Sequence, residues 1–96
     1  MSTSTDTISV SIPSPLRDTC GGVSRLPLAA ATVRDALRQL EQSHPALYTS
    51  VCDETGAVRR HVNLFINNAH IRERDGLDSA LRPGDVLTIM PAVSGG

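Results

Sequence analysis

The sequence predicts an α+β fold in which a mixed sheet of four to five strands packs on one main helix and an extended C-terminal tail follows the last strand. Three observations carry this. Apolar residues alternate with polar ones at Ile8, Val10 and Ile12 and again at Val62, Leu64 and Ile66, the period of a half-buried strand. Between them, Val33, Ala36, Leu37 and Leu40 recur at the spacing of one apolar helix stripe. A last apolar run, Val86 to Met90, leads directly into Pro91-Ala92-Val93-Ser94-Gly95-Gly96.

Taken in order, the first strand ends at Pro13, and Pro15 with Gly21-Gly22 turns the chain back. Val23 to Leu28 reads as a weaker strand, and Pro27 within it predicts an edge position, where a missing N–H costs no ladder bond. Thr32 and Asp35 have capping-box spacing with an acidic first turn, so the helix starts there. It ends near Ser43, because Pro45 biases His44 out of the helical region. Ala46 to Val51 forms a short second helical turn with Leu47 and Val51 inward, and Asp53-Glu54-Thr55-Gly56 is a polar turn. After the strand at Val62–Ile66, Asn67-Asn68 turns the chain and His70 to Arg72 makes a brief return strand. Gly76 to Leu81 is a loop with a short helical turn, Leu77 and Leu81 pointing inward. Arg82-Pro83-Gly84-Asp85 is a tight turn, with Pro presetting φ and Gly taking a positive φ. One long helix between strand pairs lets the first and last strands lie side by side and parallel at the centre of the sheet. That is the β-grasp, or ubiquitin-like, roll. The predicted organisation is a lead over 1–7, the β-grasp domain over 8–91 and a mobile diglycine tail over 92–96.

Composition narrows the function classes. With 96 residues the chain supports one core, and with only Tyr48 and Phe65 as aromatics that core is aliphatic. A net charge of −1 favours neither nucleic acid nor an anionic membrane as partner. All nine basic residues are arginine, so the chain offers no lysine through which copies could be joined. Cys20 and Cys52 lack metal-ligand spacing, and no apolar stretch approaches the ~20 residues that span a bilayer. No bound metal or cofactor is expected, and the expected location is the cytoplasm. His44, His61 and His70 are scattered at ordinary solvent positions. Cys20 beside Gly21 could be an exposed thiol, and Arg59-Arg60 could pair with an acidic partner, but a solvated turn is the preferred reading of the two arginines.

Gly95-Gly96 invites a chemical reading. Two glycines leave the backbone bare, so the segment can thread a narrow channel that any side chain would obstruct. The Gly96 carboxylate is then the candidate reactive group, against the plainer alternative of a frayed terminus. Strand alternation places Phe65 and Met90 on the sheet face opposite the helix, a candidate docking patch beside the tail. Pro91 stiffens the strand exit.

The strand end Ser11-Ile12-Pro13, the Leu16-Arg17 and Gly21-Gly22 pairs, the strand Val62–Asn67, the turn Leu81–Val86 and the tail Pro91–Gly96 together resemble the ThiS/MoaD family of ubiquitin-like sulfur carriers, with features nearest the CysO-like carriers. The resemblance covers nearly the whole chain after Thr7. It implies a cosubstrate without catalytic residues of its own. An ATP-using adenylyltransferase/sulfurtransferase, similar to ubiquitin-activating enzymes, converts Gly96 to an acyl adenylate and then a thiocarboxylate. The threaded tail is Pro91, Ala92, Val93, Ser94 and Gly95. The sulfur acceptor is a cysteine-synthase-like enzyme or a thio-metabolite synthase. Within the family, the alternative is the small subunit of molybdopterin synthase, with the large subunit as partner. From other classes come a ubiquitin-like modifier conjugated through Gly96 and a plain interaction domain.

Overall fold

A computed structural model describes residues 7–91 of the chain. Strand β1, Thr7–Ser11, sends Ile8 and Val10 inward. It starts one residue inside the stretch assigned to the lead, because Thr7 pairs with Ala29 and its carbonyl accepts the Gly84 N–H at 3.1 Å. Strand β2, Arg25–Ala29, lies antiparallel to β1. Helix α1, Val33–Ser43, and helix α2, Pro45–Val51, follow. Strands β3, Val62–Ile66, β4, Ala69–His70, and β5, Val86–Pro91, complete one sheet in the order β2-β1-β5-β3-β4. Among the described residues only the central β1–β5 pair is parallel, with Val10 opposite Leu87. Joining two parallel neighbours needs a long crossover, and the two helices with β3 and β4 supply it. This is the predicted β-grasp roll.

One sheet face and the two helices enclose the core. Val10, Val33, Leu40, Leu47, Val51, Leu64 and Leu87 are fully enclosed. The core is aliphatic, and neither aromatic residue lies in its buried part. Thr32 Oγ1 accepts the Asp35 N–H at 3.1 Å, and the Asp35 carboxylate accepts the Ala31 N–H at 3.3 Å. One of the helix's unsatisfied N-terminal donors is met in this way, and the Asp35 carboxylate ties back the residue before the cap. His44 leaves the helical region at φ −139° and ψ 67° before Pro45. Its N–H closes α1 on the Leu40 carbonyl, while its own carbonyl accepts the Tyr48 N–H and opens α2.

Four local readings change. Ser14–Cys20 is a 3-10 helix where the sequence suggested only a turn. Gly21 and Gly22, at φ 76° and 85°, end it in a conformation that L side chains resist. The β2 ladder starts at Arg25, not Val23. The Ser24 carbonyl takes the Ile12 N–H, and Val23 stays 41% exposed on the turn. Only Ala69 and His70 form the return strand, because Ile71–Glu73 winds into a 3-10 turn capped by His70 Nδ1, which accepts the Arg72 N–H at 3.0 Å. Finally, Cys20 is buried, its Sγ 3.5 Å from the Arg17 carbonyl and 3.7 Å from that of Val23, so it is no exposed thiol.

Candidate functional site

The site is the outer face of the sheet and the point where β5 ends. Alternation along β3 and β5 buries Val62, Leu64, Ile66, Leu87 and Ile89 against the helices. Asn63, Phe65, Thr88 and Met90 therefore stand on the other face. Register aligns Phe65 with Thr88 and Asn63 with Met90, so Phe65 and Met90 are diagonal neighbours. Met90 is 50% exposed and Phe65 half-buried. Ser11 joins the row opposite Thr88 and Arg25 opposite Ser11, while Val86, Pro27 and Ala29 lie further along the same face.

His70 is the residue that sequence reasoning left among scattered histidines. Its ring meets Phe65 edge-on, with centroids 5.1 Å apart and planes at 70°. Its Nε2 lies 3.0 Å from Asn63 Oδ1. Because Nδ1 already accepts the Arg72 N–H, the proton sits on Nε2, which donates to Asn63. This bracing fixes the Phe65 ring from the β4 side. The signal in the sequence was the Asn67-Asn68 turn, which sets His70 opposite Phe65.

Pro91 ends β5 opposite Val62, the first residue of β3. The candidate residues Ala92, Val93, Ser94, Gly95 and Gly96 lie outside the described residues. The turn before β5 is firmly tied. Gly84 takes φ 88°, the Asp85 N–H donates to the Arg82 carbonyl at 3.0 Å, and Asn67 Nδ2 donates to Asp85 Oδ1 at 3.1 Å. Asn67 Oδ1 in turn accepts the Val86 N–H at 3.1 Å, so the start of β5 is locked to the end of β3.

Away from this face, Cys52 lies under Tyr48 at the end of α2. Burial pushes its thiol up to about 11, with the Asp53 charge adding to the effect, and Tyr48 is raised by burial as well. A thiol held protonated is a poor nucleophile. Thr55 and the Ala57 N–H bond the Asp53 carboxylate, with the Thr55 hydroxyl first among the causes that lower its pKa, so this acid is occupied in shaping its own turn. Among the described residues no three His, Cys, Asp or Glu side chains converge as a metal site. Nor is any helix there long and apolar enough to cross a membrane.

This topology defines a ubiquitin-like β-grasp protein whose central strand delivers the C-terminal segment. Residues 10–96 match the model of the ThiS family. The sulfur carrier protein CysO of Mycobacterium tuberculosis is 33% identical over 91 residues, covering 93% of this chain and 98% of that protein. Among solved structures, CysO in the Amycolatopsis orientalis BexX/CysO complex superposes with a TM-score of 0.84 at 34% identity, over 93% of this chain and 99% of that one. The small archaeal modifier protein 1 of Methanosarcina acetivorans does so at 0.84 and 30% identity, over 96% and 98%. The chain belongs to the ThiS family.

Proposed function

We propose that this protein is a sulfur carrier that delivers sulfur from a thiocarboxylate formed at Gly96. The observation that carries this reading is the placement of β5. It is held between β1 and β3 and ends at Pro91, five residues before Gly96, in a chain whose family match runs through residue 96. Fully extended, five residues span at most about 17 Å, so the reacting carbon can enter a partner's site while the globule stays outside.

The chemistry is divided between the carrier and its partners. Oxide is a poor leaving group, so the Gly96 carboxylate first attacks the α-phosphate of ATP on an activating enzyme, giving the acyl adenylate and releasing pyrophosphate. Hydrosulfide then attacks the acyl carbon, the C–O bond to AMP breaks and AMP departs, leaving a thiocarboxylate with a soft nucleophilic sulfur. This chain contributes the acyl group, the bare glycines and a recognition face built from Phe65, Met90 and His70. Bases and nucleotide-binding groups belong to the enzymes, and the protein acts as a cosubstrate. Similarity to CysO supports an acceptor in cysteine or thio-metabolite synthesis. The likeness to an archaeal modifier protein supports a second reading, conjugation of Gly96 to a lysine of another protein.

Intact mass tests the proposal. Incubated with its activating enzyme, ATP and hydrosulfide, the protein gains ~16 Da as sulfur replaces oxygen. An unchanged mass in the presence of an enzyme that loads a CysO control overturns it. Isopeptide-linked products in place of that gain identify the modifier.

A further inference from the structure

We propose that the open edge of β3 is a docking site for an extended, carboxylate-bearing segment of a partner protein. Strand β4 covers β3 only at Phe65 and Ile66, so Val62 to Leu64 have no strand beside them on that side. A cavity of about 80 Å³ lies there, floored by the apolar Val62, Leu64 and Ile71 and rimmed by Arg59, Arg60 and Arg72. No carboxylate lines it, Glu73 of the neighbouring turn included. The one ion pair among the described residues, Arg34–Asp78, is elsewhere. Two exposed arginines, Arg60 and Arg72, line this one cavity in a chain whose net charge is −1.

Size and geometry select the occupant. Small-molecule sites run to roughly 300–1,000 Å³, so this cavity excludes a nucleotide and admits one side chain presented by a protein. The Val62 N–H is already bonded to the Arg59 carbonyl at 3.0 Å, so main-chain pairing with an extended segment on the uncovered β3 edge centres on Leu64. The arginine rim suits carboxylates, which guanidinium groups bind through paired N–H donors. Arg59 contributes its backbone and stem only, because its Nε donates to the Thr49 carbonyl at 2.8 Å and its charge acts on Asp53. Arg60 and Arg72 are exposed and available. Val62 pairs with Pro91 across its other edge, so a segment seated here is separated from the start of the tail by the width of β3. This edge deepens the carrier reading and rests on it only in identifying the partner as one that also receives the tail.

The test is an NMR titration of the full chain with the blocked peptide Asp-Glu-Val-Asp-Glu as probe. Amide shifts are expected at Val62–Leu64 and Arg72, weakening with added salt. The R60A/R72A variant, with its fold verified from the rest of the spectrum, binds roughly fivefold to tenfold more weakly, as loss of two exposed ion pairs predicts. A chain lacking Gly95 and Gly96 binds the peptide unchanged, so failure of the sulfur chemistry and failure of this edge read out separately. Equal affinity in R60A/R72A overturns the proposal, as do identical shifts with inorganic phosphate at matched ionic strength. It is equally overturned if the wild type ignores the peptide and R60A/R72A self-associates, because the arginines then serve only to keep copies apart.

Discussion

The His70 imidazole meets the Phe65 ring edge to face at 5.1 Å on the outer surface of the sheet. An aromatic pair of this kind contributes about 1 kcal/mol beyond its buried area. Phe65→Ala is therefore expected to lower stability by more than that amount but by less than the ~3–5 kcal/mol of a core phenylalanine, read from urea denaturation, because the half-buried ring lies outside the enclosed core. Sulfur loading by the activating enzyme should fall by about tenfold or more, as for an aromatic anchor of an interface. Loading at the wild-type rate would remove Phe65 from the recognition face.

Gly96→Val is expected to leave the fold and the melting temperature unchanged while eliminating the mass gain on incubation with the activating enzyme. A β-branched side chain obstructs a channel shaped for bare backbone. A valine variant that still acquires sulfur would show that threading is not what the glycines provide.

The Thr32 hydroxyl is the cap on which α1 begins. Thr32→Ala should cost about 1 kcal/mol, which in a domain of this size lowers Tm by roughly 4–8 °C. Calorimetry measures it, and Thr32→Ser should recover most of the loss.

Alkaline pH should destabilise the domain through Cys52. Below about pH 8.5, where an unfolded thiol titrates, the group is protonated in both states and its burial has no electrostatic cost. As pH rises further, the unfolded chain releases this proton while the folded chain retains it up to about 11. Stability is therefore lost progressively across that interval. The slope of unfolding free energy against pH should be shallower in Cys52→Ala, although the raised Tyr48 hydroxyl leaves some of it in place. The native thiol should also resist alkylation at pH 8 and react once urea unfolds the chain.

The parts of the fold set by local pattern were legible in the sequence. Ile8, Val10, Leu64 and Ile66 revealed their faces by alternation, Thr32 and Asp35 marked a helix start, and Pro45 fixed the break at His44. What local pattern cannot encode is the product of pairing between distant segments. His70 acquires its role from its register opposite Phe65, and Arg60 gains Arg72 as a neighbour only because β4 is two residues long. Cys20 looked exposed beside two glycines, yet the 3-10 winding of Ser14–Cys20 turns its sulfur inward. The outer face was legible from Phe65 and Met90, whereas its bracing by His70 and Asn63 was not.

The central position of β5 also has a mechanical meaning. A strand at the rim of a sheet can be peeled away one bond at a time, but β5 is gripped on both flanks, by β1 over Val86–Thr88 and by β3 over Leu87–Pro91. When a partner tugs at the segment beyond Pro91, the load is shared lengthwise along two ladders that must slip together. The domain can thus be drawn hard against an enzyme's entrance, and withdrawn from it, without unravelling from the end that does the work.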